Sequence, residues 1–211
     1  MRVAPVGMIF ASLAPGGLPE AMRHCFDLGC QSAAITHGHP TAQLSSGALA
    51  MMVTGLLAGL TLDSCVRTAL AFLEEQPGHE ETVGAITTAR RLAAVQPRDL
   101  AAIRTMGEGW VAEEALGIGL YCAMCSPNFR SGVELAVNHG GDSDSTGSIA
   151  GQLLGAIHGI SAIPRRWVKE LELRDVIVAM ADDLATVCEW HLIDDEAENE
   201  GDFYWDRYPG W

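Results

Sequence analysis

Apolar residues along this chain recur at three- and four-residue spacings and nowhere alternate over a strand's length, which predicts helices and no sheet. Leu44, Ala48, Met51, Met52, Leu56 and Leu60 form one apolar stripe, so residues 41–60 are expected to present a core face. A helix over 19–28 would open at Pro19 and stop at Gly29. Another, over 63–75, would be N-capped at Thr61 or Asp63 and end before Pro77-Gly78. Weaker helical segments at 79–95 and 98–106 are parted by Pro97, and an apolar helix over 111–124 ends at Ser126-Pro127. Shorter or later helices are expected at 130–137, 146–160 and 173–191. The expected fold is all-α, one orthogonally packed helical-bundle domain over 1–192 followed by an acidic segment over 193–211.

Composition sharpens that picture in three respects. Hydrophobic residues make up 48% of the chain but aromatics only 6%, so small aliphatic side chains must build the core, as they do between closely packed helices. A length of 211 residues suffices for one such core. The net charge of −14 argues against nucleic acid and anionic membrane as partners, since both need basic patches. Part of that charge lies in Asp194-Asp195-Glu196 with Glu198, Glu200 and Asp202, read as a solvated tail, with a basic partner as the alternative. Cysteines 25, 30, 65, 122, 125 and 188 sit mostly among apolar residues, and Cys122-x-x-Cys125 has no second pair to complete a zinc site. No secretory signal pattern opens the sequence and its apolar runs are too short to span a bilayer. Reduced, buried cysteines in a cytoplasmic protein are therefore expected.

The chemistry concentrates in Asn138-His139-Gly140-Gly141-Asp142-Ser143-Asp144-Ser145-Thr146-Gly147. Asp142, Asp144 and Ser145 offer hard oxygen ligands to one small cation, the donor type that magnesium, manganese and calcium prefer. An EF-hand is excluded, because Leu153 stands where its closing glutamate would be. Gly140 and Gly141 allow close backbone approach to a ligand. The helix that follows turns its N-terminal amides toward the same place, as suits a phosphate or a coordinated carboxylate. The plainer reading of Asp142 and Ser143 is helix capping. Elsewhere His37 and His39 flank Gly38 in an inter-helix loop. Trp110 follows Gly107-Glu108-Gly109, and Glu113 and Glu114 occupy the first turn of the next helix, where acids meet the dipole favourably. No Ser-His-Asp or Cys-His nucleophile arrangement is present.

The run from Gly140 to Gly151, continuing to Gly155-Ala156-Ile157-His158-Gly159, resembles the C-terminal metal motif of the ADP-ribosylglycohydrolases. Three further segments agree in order: Met1-Arg2-Val3-Ala4-Pro5-Val6-Gly7, Thr36-His37-Gly38-His39-Pro40, and residues 109–116. Tyr208-Pro209-Gly210 is also similar to the family pattern. The resemblance implies a hydrolase that cleaves the glycosidic bond between ADP-ribose and a protein side chain, with two divalent cations, Mg²⁺ or Mn²⁺. It implies Asp142, Asp144 and Ser145 as metal ligands. For the substrate it implies His37, Gly109, Trp110, Glu113, Gly140 and Gly141, with Trp110 as a wall against adenine or ribose. Either ADP-ribosylated protein or free ADP-ribose would be the partner.

Family members carry a further N-terminal portion that supplies an acidic catalytic residue and a second group of metal ligands. Nothing in this chain corresponds to it, so an N-terminally shortened domain is expected and no catalytic residue is assigned. Two alternatives follow: a non-catalytic member that binds ADP-ribose or a protein or serves structurally, and a site completed by a second polypeptide.

Overall fold

The computed structural model describes residues 1–13, 17–186 and Arg207, and within them the regular secondary structure is all helical. In order the helices are α1 (Ala4–Leu13), α2 (Leu18–Ala34), α3 (Pro40–Leu57), α4 (Leu62–Leu73), α5 (Glu80–Val95), α6 (Leu100–Arg104), α7 (Ala112–Cys125), α8 (Phe129–Val137), α9 (Ser143–His158), α10 (Arg165–Glu170) and α11 (Arg174–Thr186). A single 3₁₀ turn, Ile160–Ala162, separates α9 from α10. The expected all-α class is what forms. The boundary at 193, the acidic run, Cys188 and Tyr208-Pro209-Gly210 lie outside the described residues.

Helix α3 is the axis of the domain. Its sequence PTAQLSSGALAMMVTGLL is small or apolar on every face, and such a helix is stable only when surrounded. It packs against α1, α2, α4, α5, α7 and α9. Met51 and Met52, expected in the core, are 2% and 0% exposed. The α2–α3 crossing is close. A Cβ on Gly29 would stand 3.0 Å from the Gly47 Cα, and one on Gly47 would stand 2.6 Å from the Cys30 Sγ and 2.8 Å from the Phe26 carbonyl oxygen.

That crossing corrects one boundary. Gly29 was expected to end α2, but it is buried in mid-helix, and α2 runs on to Ala34. The glycine removes a side chain where α3 passes instead of terminating a turn. Phe26 of α2 meets Phe72 of α4 edge to face at 4.7 Å, and Arg23 lies over the Phe72 ring. Residues 1–7 were read only as a motif, and from Ala4 onward the chain forms helix α1. Its Gly7 fits against the Ala50 carbonyl and Val53, and its carbonyl lies 3.2 Å from the Thr54 hydroxyl.

Side-chain caps open three of the remaining helices. Thr61 caps α4, with its hydroxyl oxygen accepting from the Ser64 amide at 3.2 Å. Asp99 and Asn128 cap α6 and α8 in the same way. Buried Tyr121 joins α7 to the preceding turn, donating to the Gln96 carbonyl at 2.5 Å and accepting from the Asp99 amide at 2.8 Å. The described cysteines are unpaired. Burial raises the thiols of Cys25 and Cys65 to about 11, so they are packing groups and not nucleophiles. No helix among the described residues is long and apolar enough to cross a membrane.

Two glycine-to-alanine substitutions should separate packing from propensity. Gly47→Ala forces a methyl into the α2–α3 contact and should destabilise by about 1–3 kcal/mol despite its better helix propensity. Gly84→Ala, on α5 with nothing within 4 Å of the new methyl, should stabilise by about 0.5–1 kcal/mol. Thermal denaturation reads both, at about 2–4 °C per kcal/mol for a chain of this size.

Candidate functional site

Four helices begin around one cleft of about 550 Å³. Its walls include Thr41, Ala42 and Ser45 from α3, Glu81 from α5, Ala112 and Glu113 from α7, and Ser145 and Ile149 from α9. The residues immediately preceding three of these helices, His39, Val111 and Asp142, also reach it, as do His37, Gly109 and Trp110. Neither lysine nor arginine lines the cleft. The favourable field for an anion comes instead from helix N-termini, whose free amides carry partial positive charge.

The cleft's geometry is set by the packing of one loop against the entry to α9. Glu108 and Gly109 amides both donate to the Glu114 Oε2 at 3.0 Å, which folds residues 107–109 over the start of α7. The Glu108 carbonyl then accepts from the Asp142 amide at 2.8 Å. This contact admits no side chain at Gly141, where a Cβ would fall 1.9 Å from the Glu108 oxygen. Gly109 has φ +85° and would push a Cβ to within 2.9 Å of Thr146. Trp110, next in sequence, is 67% exposed, so it is not a core anchor. Its indole N–H donates to Glu108 Oε2 at 3.0 Å, which steadies the ring at the cleft.

The acidic entry is stapled from behind by His139. The Gly141 amide donates to Nδ1 at 3.3 Å, so Nδ1 accepts and Nε2 carries the proton, donating to the Thr146 hydroxyl at 2.9 Å. Thr146, fully buried, passes its own proton to the Ala136 carbonyl at 2.7 Å. Burial pushes the His139 pKa below the ordinary histidine value, against the opposing pull of Asp142 and Glu108. Asp142 sits at the N-cap position of α9 without a cap hydrogen bond. Its carboxyl is held below the usual carboxylate range, first by the adjacent Asp144 side chain and next by the Ser145 hydroxyl.

The structure thus brings His37, Gly109, Trp110, Glu113, Asp142 and Ser145 to one cleft. Gly140, Gly141 and Asp144 are not on its wall. Gly140 is exposed at φ +89°, Gly141 serves the backbone contact, and Asp144 is exposed beside Asp142. Helix α9 was expected from 146 but starts at Ser143, which places Asp144 and Ser145 inside its first turn. Sequence reading missed Thr41 and Glu81, joined by a 2.5 Å hydrogen bond across α3 and α5, because nothing local marks two residues so far apart as neighbours. It also missed that Glu114 holds the loop, while Glu113, expected at the substrate, lines the cleft. Among the described residues no three His, Cys, Asp or Glu side chains converge as a metal group. The donors present are two carboxylates and a hydroxyl, all hard oxygen, which fits part of the shell of one Mg²⁺ or Mn²⁺.

These features define an all-α domain whose cleft is built from helix starts. Residues 1–192 match the ADP-ribosylglycohydrolase family model, and the chain belongs to that family. It is 25% identical over 142 residues to the ADP-ribosyl-[dinitrogen reductase] glycohydrolase of Rhodospirillum rubrum, covering 67% of this chain and 42% of that protein. It is 36% identical over 76 residues to the ADP-ribosylarginine hydrolase Tri1 of Pseudomonas putida (strain GB-1), covering 36% of this chain and 20% of that protein. A solved structure described as an ADP-ribosylglycohydrolase-related protein complex shares the fold, with a TM-score of 0.63 and 23% identity over 85% of this chain and 57% of that one. The chain spans less than half the length of the curated relatives it matches.

Glu114→Ala should release the loop. Two backbone amides lose their acceptor, at a cost of about 1–3 kcal/mol, and amide hydrogen exchange at Glu108 and Gly109 should accelerate. Glu114→Gln keeps an acceptor oxygen and should show a smaller effect on both readouts.

Proposed function

We propose that this chain forms the cleft of an ADP-ribosylglycohydrolase-type hydrolase that acts on the glycosidic bond between ADP-ribose and a protein side chain. The observation that carries the reading is the meeting of His37, Trp110, Glu113, Asp142 and Ser145 at one cleft in a member of that family. The exposed face of Trp110 offers a stacking surface for adenine or ribose. Glu113 offers an acceptor to ribose hydroxyls, and the helix starts together with His37 offer donors to the pyrophosphate. The ADP-ribosyl substrates named for the relatives extend to this chain as ADP-ribosylated protein or free ADP-ribose, in the cytoplasm.

Asp142, Asp144 and Ser145 would hold Mg²⁺ or Mn²⁺. A bound divalent cation supplies Lewis-acid polarisation and lowers the pKa of a water. The protein's own contribution is to place two carboxylates side by side at a helix start, where their charge is partly offset by the amides. The two cations of the family need carboxylates from both sides, and this entry supplies one side.

A second reading has its own observation: no three acidic or imidazole groups converge among the described residues. In that reading the chain is a catalytically impaired family member that binds ADP-ribose or a protein, or has a structural role. Alternatively, a second polypeptide brings the remaining ligands. Incubation of the purified chain with ADP-ribosylated protein and Mg²⁺ separates the readings: release of free ADP-ribose supports the hydrolase, and binding without release supports the second.

Metal and nucleotide recognition are tested apart. Mn²⁺ at about a hundredfold excess over its dissociation constant should stabilise the chain by about 2.7 kcal/mol. Asp144→Asn should abolish that gain while leaving the metal-free melting temperature close to wild type; an equal metal-induced shift in both proteins refutes the ligand assignment. Calorimetric titration should show Trp110→Ala binding ADP-ribose about 1–3 kcal/mol more weakly than wild type, whereas equal affinities remove Trp110 from the site.

A further inference from the structure

Behind His37 stand two residues that do not reach the cleft, Arg2 and Thr36. The Arg2 Nη2 donates to the Ser32 carbonyl at 3.0 Å and to the Thr36 Oγ1 at 2.8 Å. Thr36 Oγ1 lies 2.8 Å from the His37 Nδ1 and 3.5 Å from the Ala33 carbonyl oxygen. A guanidinium has donors only, so the Thr36 hydroxyl accepts from Arg2 and directs its single proton to one of the two remaining acceptors. The Ala33 oxygen is at the outer limit of a hydrogen bond, whereas the Nδ1 distance is close to ideal. The proton therefore goes to Nδ1, and neutral His37 carries its own proton on Nε2. Beneath the ring, Gln43 Nε2 donates to the His37 carbonyl at 3.1 Å and fixes the loop backbone.

We propose that Arg2 and Thr36 are positioning residues that hold His37 in its Nε2–H form, so that the ring meets a phosphate oxygen in the cleft as a hydrogen-bond donor. The opposite tautomer would turn an unprotonated nitrogen lone pair toward the anion and leave the Thr36 hydroxyl only the 3.5 Å contact. No lysine or arginine reaches this cleft, so its side-chain donors are hydroxyls, an indole and the imidazoles, His37 among them. The identity of the anion rests on the reading of the cleft as an ADP-ribose site; the tautomer does not.

The test uses the full chain with ¹⁵N-labelled histidine at about pH 8, above the ordinary histidine range. Two-bond proton–nitrogen spectra should show His37 with Nδ1 unprotonated and Nε2 protonated. Thr36→Val should give a mixture of tautomers and bind ADP-ribose and inorganic pyrophosphate about three- to tenfold more weakly. Thr36→Ser should restore both, and Arg2→Met should shift the tautomer in the same direction as Thr36→Val. A wild-type Nδ1–H form, or an unchanged spectrum in Thr36→Val, overturns the inference. Wild type that binds ADP-ribose while Thr36→Val binds it equally well overturns the inference and leaves the cleft reading intact. A wild type that binds neither probe overturns the cleft reading and the donor role with it, whatever the tautomer.

Discussion

The backbone hydrogen bond from the Asp142 amide to the Glu108 carbonyl is the constraint on which the cleft depends. It ties the loop before α7 to the entry of α9, and each side needs special residues to reach it. Gly141 omits the Cβ that would collide with Glu108, and Gly109 adopts a positive φ against Thr146. Glu114 holds the loop by two amides, while His139 and Thr146 hold the acidic turn from behind. One loop thereby places Trp110 and Asp142 on the same cleft. Displacing it would move Trp110 and Asp142 together.

Electrostatics follow from the same arrangement. A chain of net charge −14 with neither lysine nor arginine on its cleft does not attract a pyrophosphate by fixed charge. The starts of α3, α5, α7 and α9 provide the compensation, because unsatisfied amides carry positive character within the first turn. The acids Glu81, Glu113 and Asp142 sit on those same turns, where they are stabilised in the absence of ligand. A divalent cation at Asp142 and Asp144 would add positive charge where the proposed substrate is negative. The field in the cleft comes from local dipoles, not from a basic patch.

Much of this was legible in the sequence, for physical reasons. Residues 41–60 are apolar beyond one face, and α3 is the buried axis. The Gly-Gly-Asp-Ser-Asp-Ser run marked a helix entry, and α9 starts there, three residues earlier than its apolar periodicity indicated. What was not legible depended on distant contacts. Gly29 reads as a helix stop, and only its meeting with Gly47 across α2 and α3 reveals it as a packing glycine. The family resemblance singled out Glu113, which lines the cleft, but nothing in the sequence showed that Glu114 clasps the loop. Arg2 reads as part of an N-terminal motif, and its link to His37 through Thr36 spans residues that only the fold brings together.

The most direct measurement is the amide and indole proton–nitrogen spectrum of the full chain during titration with ADP-ribose in the presence of Mg²⁺. The account predicts that the signals that move belong to the loop at His37, the Trp110 indole, and the first turns of α7 and α9, with Ser145 among them. Shifts confined to another surface, or a spectrum unchanged at saturating ligand, would contradict the claim that these helix starts form an ADP-ribose site.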